Sequence, residues 1–255
     1  LNWGYDLLEG DLQEKHDVGY VRASTRENAA LDPAYVKRLL DAFDGKASEA
    51  YVDGFFVNLA SGLVYYAFDR RSGVVVDLPE PEGVELGFGV DFNVNPMAAA
   101  VFWRAGNHMH FIEEFELPNA DTEYLCQVLR EKYGSRLTTA YPDATGSARK
   151  TSAPGGKTDF WYIRQAGFSI QAPHANPKRR DRYNAVNAKF GAKGQPTLTI
   201  SPKCKKLIKY LSVHSHELMN KQQHMTHLLD AFSYPVSYLF PVSKETLGQH
   251  KVLGV

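Results

Sequence analysis

Apolar positions along the chain recur with two different periods, and the switches between them mark its elements. Leu86 to Phe92, Ala98 to Arg104 and His108 to Glu116 are short apolar or alternating runs separated by turn residues at Asn93 to Pro96 and Ala105 to Asn107. They predict three consecutive strands in an antiparallel meander. Leu125, Val128, Leu129 and Tyr133 then fall at helical spacing, with Asp121 in the first turn where the helix dipole favours an anion. A fourth strand is expected over 137–141, a second helix around 157–165 and a short fifth strand over 168–171. Further on, the pattern predicts a strongly polar helix over 178–190, a strand over 196–200, a short helix over 204–211 and a terminal helix over 224–239 that Pro235 should break. Strands followed by strand and helix in alternation indicate an α/β (α+β) fold, a mixed five-stranded sheet flanked by helices.

Ahead of this region the signals are weaker. Val18 to Ala23 alternates like a strand, Asp32-Pro33 reads as an N-cap and first helical residue for a helix reaching Phe43, and Phe55 to Leu59 with Leu63 to Phe68 reads as a hairpin. The acidic, proline-rich stretch from Asp77 to Gly83 opposes helix and central strand alike. It is the expected boundary between a small N-terminal extension, 1–76, and a main domain, 84–255.

Composition narrows the class. With 255 residues, 44% hydrophobic and 23% charged, the chain is expected to fold around a sizeable core. Its 29 Lys+Arg balance 29 Asp+Glu, so no global field draws it to nucleic acid or anionic lipid, and any polyanion site must be a local patch. Two cysteines, Cys126 and Cys204, are too few for a disulfide framework and point to a reducing compartment. No apolar run approaches the ~20 residues that span a bilayer, and Leu1 to Gly4 lack the order of a signal peptide. The first residue is not Met, so a longer parent protein is expected.

Three aspartates stand out: Asp91 ends the first strand, Asp143 follows the fourth, and Asp230 interrupts an apolar helix face. Each has a plain structural use. Asp91 can cap a turn, Asp143 in Pro142-Asp143-Ala144-Thr145-Gly146 can bond its own backbone, and Asp230 can pair with a basic neighbour. Together they imply more. If the fourth strand lies beside the first, Asp91 and Asp143 face each other across a crevice, and a helix packed on that face adds Asp230. Converging carboxylates repel unless hard divalent cations join them. Two such ions clamp the attacking and leaving oxygens of an in-line phosphodiester displacement, so metal-dependent hydrolysis of a nucleic-acid backbone is the expected chemistry.

Gly87-Phe88-Gly89-Val90-Asp91-Phe92-Asn93-Val94-Asn95-Pro96, then the strand ending at Asp143, then His227-Leu228-Leu229-Asp230-Ala231, resembles in order and spacing the nuclease domain of a tailed-phage terminase large subunit. Arg22 to Asn28, the helix after Asp32-Pro33, and Gly54 to Phe68 resemble the segment joining the packaging ATPase to that nuclease. The resemblance implies an RNase H-like fold and carries the family's metal-binding, catalytic acids onto Asp91, Asp143 and Asp230, with Mg2+ or Mn2+ as cofactor. It also implies double-stranded DNA as substrate, the portal, the small terminase subunit and an ATPase domain as partners, no membrane, and the cytoplasm of an infected bacterial host as location. Further acids common near the first aspartate in relatives are replaced here by Asn93 and Asn95, leaving Glu113 or Glu114 as local alternatives for a fourth ligand. No Gly-x-x-x-x-Gly-Lys-Ser/Thr loop occurs: Gly155-Gly156-Lys157-Thr158 mimics its tail, but position 151 is Thr151.

Basic residues crowd the chain after Asp143. Arg149, Lys150, Lys178, Arg179, Arg180, Arg182, Lys203, Lys205 and Lys206 are the candidates for a phosphate-binding wall with little base reading. His214-x-His216 and His224-x-x-His227 invite a zinc site, but no cysteine lies nearby. Two other functions remain open: a non-catalytic module docking DNA and portal, and another RNase H-like nuclease such as a junction resolvase. A 3′ exonuclease of this fold would show Asp-x-Glu on the first strand, where Asp91-Phe92-Asn93 stands.

Overall fold

The computed structural model describes residues 8, 19, 21–42, 52–54, 62–149, 153–192, 194–216 and 223–242. Its centre is a mixed sheet in the order β5-β4-β1-β2-β3-β6. Strands β1 (Leu86–Asp91), β2 (Met97–Ala105) and β3 (His108–Leu117) form the expected antiparallel meander. Strand β4 (Leu137–Pro142) lies parallel to β1 on its other side, and β5 (Ser169–Ile170) is parallel to β4. The sheet has six strands where five were expected. The sixth, β6 (Leu198–Ile200), runs parallel to β3 and pairs with Met109 to Phe111, closing part of an edge that would otherwise expose unpaired backbone groups.

Beside short 3-10 and π turns, the described elements include the α-helices α1 (Pro33–Ala42), α2 (Thr122–Tyr133), α3 (Asp159–Gln165), α4 (Arg179–Asn187), α5 (Lys205–Val213) and α6 (Gln223–Leu239). Asp121 caps α2 by accepting from the Tyr124 amide, and Thr158 caps α3 by accepting from the Trp161 amide. One sheet face, with Phe88, Val90, Ala99 and Val101, packs on Leu125 and Leu129 of α2 and Ile163 of α3. The other, with Ala98, Ala100, Phe102 and Phe111, packs on Val186 of α4, Leu207 and Leu211 of α5, and Leu228 and Phe232 of α6. Cover on both faces explains why every residue of β1 is buried and why its sequence is a continuous run instead of an alternation.

Helix α6 continues through Pro235 without the expected break. Proline has no N–H to give the carbonyl four residues earlier, that of Ala231, and this carbonyl lies directly over Gly89 of β1. A Cβ at Gly89 would stand 1.9 Å from Ala231 O and 2.7 Å from Pro235 Cδ. The glycine is therefore what lets α6 come down onto the strand that carries Asp91.

Packing crosses the acidic stretch at 77–83. Val64, Tyr65, Phe68 and Val74 share the core of α4, α5 and α6, Leu63 bridges to Ser215, and Val75 bridges to Ile200. Residues 64–67 form turns in place of the expected second hairpin strand, while Phe55 to Leu59 lies outside the described residues. Val21 to Ala23 has no strand ladder, and Val18 and Tyr20 are outside the described residues. Among the described residues no helix is long and apolar enough to cross a membrane.

Candidate metal centre

Because β1 and β4 are adjacent and parallel, with Val90 opposite Pro142, their carboxyl ends meet. Asp91 is the last residue of β1, and Asp143 follows β4 directly, its amide donating to Val90 O at 3.0 Å. Helix α6 crosses above and contributes Asp230. All three carboxylates line one cavity of about 390 Å3, together with Asn176, Arg179, Arg182, His227 and Tyr234.

Each acid is held by its own partners. Asp143 Oδ1 accepts from Asn176 Nδ2 and from the Thr145 amide, both at 2.7 Å, and its Oδ2 accepts from Tyr234 Oη at 3.0 Å. Burial alone would raise the Asp143 carboxyl, but these donors outweigh it and leave it below its ordinary value. Tyr234 Oη also stands 3.4 Å from Asp91 Oδ1. One phenolic proton serves two carboxylates, and burial followed by the charge of Asp91 keeps that hydroxyl protonated. Asp91 Oδ2 takes Nδ1 of His227 at 2.9 Å, while Nε2 of His227 meets the Asn93 amide nitrogen at 2.8 Å. The Asn93 amide nitrogen only donates, so Nε2 accepts and Nδ1 carries the proton toward Asp91, and the bond to Asp91 raises the imidazole above its ordinary value.

Asp230 takes the plain structural use open to it in the sequence, a pairing with a basic neighbour. Arg182, expected on an open polar helix face, is buried, and its Nη1 sits 2.9 Å from Asp230 Oδ1 and from Ser233 Oγ. Its guanidinium lies 4.5 Å from the centroid of the Tyr234 ring. Burial raises the Asp230 carboxyl, Arg182 opposes that, and Asp91 adds to it. Helix α4 is polar in composition yet buries Tyr183, Ala185, Val186 and Asn187 beside Arg182, so an inward guanidinium is part of its packing.

The other basic candidates are scattered. Arg179 lines the cavity mouth, and Arg180 lines a separate cavity beside Tyr66 and Asn184. Arg149 is exposed beside Gly156, and Lys178 is exposed ahead of α4. Lys203 and Lys206 sit at the β3–β6 edge, where Lys206 Nζ pairs with Glu116 at 2.9 Å. Lys205 opens α5 at that same edge, and Lys150 lies outside the described residues. Glu113 and Glu114 are both engaged away from the cavity, Glu113 by Lys132 and Tyr133, Glu114 by the amides of Lys206 and Leu207.

Sequence reasoning missed Asn176, Tyr234 and the pairing of His227 with Asp91. The two α6 residues carried a signal: His227, Asp230 and Tyr234 fall at i, i+3 and i+7, one helix face. Asn176, in a loop between prolines, carried none. In kind the donors suit hard divalent cations, since three carboxylates line one cavity with a single buried cation among them. As they stand, no group of three or more His, Cys, Asp or Glu among the described residues is closed around an ion position. Asp91 and Asp143 both accept from Tyr234 Oη.

A mixed sheet with acids at the ends of its adjacent β1 and β4 strands, overlaid by an acid-bearing helix, is an RNase H-like fold. Among solved structures it matches large terminases. The P22 large terminase nuclease domain aligns over 75% of this chain and 100% of its own, with a TM-score of 0.53 at 12% identity. The large terminase of the thermophilic bacteriophage D6E aligns over 88% of this chain with a TM-score of 0.51 at 18% identity, and in its complex with ATP-gamma-S over 89% with 0.52 at 16%. The chain spans 57–58% of the D6E protein's length. No protein-family model and no curated protein sequence matches the chain.

Proposed function

We propose that the chain is the nuclease portion of a phage large terminase, a divalent-metal-dependent endonuclease that cuts double-stranded DNA with little sequence preference. The observation that carries this reading is the meeting of Asp91 and Asp143 at the ends of adjacent parallel strands, sharing Tyr234, with Asp230 in the same cavity. Asp91, Asp143 and Asp230 would hold Mg2+ or Mn2+, and bound ions supply the positive charge that phosphodiester displacement needs at the attacking and leaving oxygens. His227 fixes the orientation of Asp91, while Asn176 and Thr145 fix that of Asp143. Arg182 neutralises Asp230 and so keeps the cluster from repelling itself. Arg179 at the mouth is placed to meet a backbone phosphate. In a packaging machine the portal, the small terminase subunit and an ATPase domain are the proposed partners, and the infected host's cytoplasm the proposed setting.

One observation favours a second reading. Asp230 is tied to Arg182, and no three donors are closed around an ion position among the described residues, as in a module that docks DNA without cutting it. Incubating the chain with supercoiled plasmid separates the two. Nicking and linearisation with Mn2+ or Mg2+, stopped by chelator, supports the nuclease. DNA binding without cleavage under either metal supports the docking module.

A further inference from the structure

A second cavity, of about 520 Å3, opens on the α2 face of the sheet and shares no lining residue with the carboxylate site. Its floor is His110 and Ile112 of β3, and the strap carrying Asp77 and Leu78 forms a wall. Four carboxylates and two lysines line it, so its charge is negative. Three of those carboxylates are engaged: Glu80 by Arg136, Glu113 by Lys132 and Tyr133, and Glu114 by amides at the start of α5. The fourth, Asp77, is exposed and close enough to His110 to act on its imidazole.

His110 supplies the independent observation. It is 1% exposed, its Nδ1 lies 2.8 Å from Thr199 Oγ1, and its Nε2 has no hydrogen-bond partner. The same Thr199 hydroxyl stands 3.0 Å from His108 Nε2. A hydroxyl has one proton to give. In the tautomer pair that sends this proton to His108, Nδ1 of His110 donates to Thr199 and Nε2 is a bare acceptor on a residue that lines the negatively charged cavity. A buried acceptor without a donor is unfavourable, and a ligand that brings one relieves it. Leu78 and Ile112 add apolar surface suited to a methylene stem.

We propose that this cavity binds an organic cation on an alkyl chain, a guanidinium or a primary ammonium, which donates to Asp77 and to Nε2 of His110. A metal ion suits it less, because three of the carboxylates are already engaged and no three His, Cys, Asp or Glu among the described residues are arranged around an ion. The chemistry has two sources, a free polyamine or the basic side chain of a protein partner. It does not depend on the nuclease reading.

The test is calorimetric titration of the full chain at fixed ionic strength with spermidine and, separately, with N-acetylarginine methylamide. Saturable one-site binding of either probe is expected, weakened about tenfold by Asp77→Asn and by His110→Gln and unchanged by Glu82→Gln. Binding of spermidine alone assigns the site to a free polyamine, and binding of the arginine probe alone assigns it to a partner's side chain. Asp77 is exposed on the strap, so its variant remains informative if His110→Gln fails to fold. The proposal is overturned if neither probe binds, or if Asp77→Asn and Glu82→Gln weaken binding equally, the mark of diffuse attraction to acidic surface. Zn2+ binding that Asp77→Asn abolishes, with neither probe binding, would also overturn it.

Discussion

At Asp230 two charges leave water together. The carboxylate and the Arg182 guanidinium are both buried, so removing one strands the other. Asp230→Ala should therefore cost about 3 kcal/mol or more in urea unfolding, while Asp230→Leu combined with Arg182→Met should recover much of that loss. A single variant as stable as the parent would show that the pair is not desolvated as described. The aspartates themselves were legible in the sequence, because strand ends and an acid on an apolar helix face are visible in a pattern. Their partners were not. Arg182 read as part of a polar helix, and only the packing of α4 against α6 turns its side chain inward. Asn176 reaches Asp143 from a loop, where no period exists to mark it.

The element that makes the cavity is α6 lying on β1, and Gly89 sets how closely they approach. Gly89→Ala places a methyl where the Ala231 carbonyl now sits, so α6 must rise and carry His227, Asp230 and Tyr234 with it. A loss of about 1–3 kcal/mol in thermal unfolding and a fall in plasmid cleavage beyond what stability explains are the expected results. An alanine variant that cuts normally would show that the site tolerates a displaced α6. The sequence marked β1, the meander and α6 clearly, since their periods are strong. It mistook Pro235 for a break because the compensating approach to Gly89 joins residues far apart in the chain. The strand at 198–200 was legible locally, but its place beside β3 depends on a pairing that no local pattern contains.

Over the whole molecule, a formal charge of zero hides a divided surface: Arg179 faces the carboxylate cavity, whereas Lys206 at the far edge is paired with Glu116. Arg179→Ala should weaken DNA binding about equally for all sequences and lower the salt slope by about one, and Lys206→Ala should change neither. Equal effects of the two would place the DNA elsewhere. Stability should also depend on pH through two buried histidines. Burial first, and nearby positive charge after it, lowers His110 and His214 to about 4 in the folded protein. The unfolded chain binds these protons from about pH 6.5 downward, so stability is full above that pH and falls as the pH drops towards 4. Thermal unfolding from pH 7 to 4 should show a falling midpoint, of which His214→Gln, if folded, removes part. A midpoint that rises over this range would contradict the burial of both rings.

The proposed hold of Asp91 and Asp143 on a divalent cation is tested most directly by anomalous diffraction from crystals of the chain grown with Mn2+. An anomalous peak is expected between the Asp91 and Asp143 carboxylates, absent from crystals of Asp143→Asn under the same conditions. A cavity without a peak at saturating Mn2+, or a peak that persists unchanged in Asp143→Asn, would contradict it.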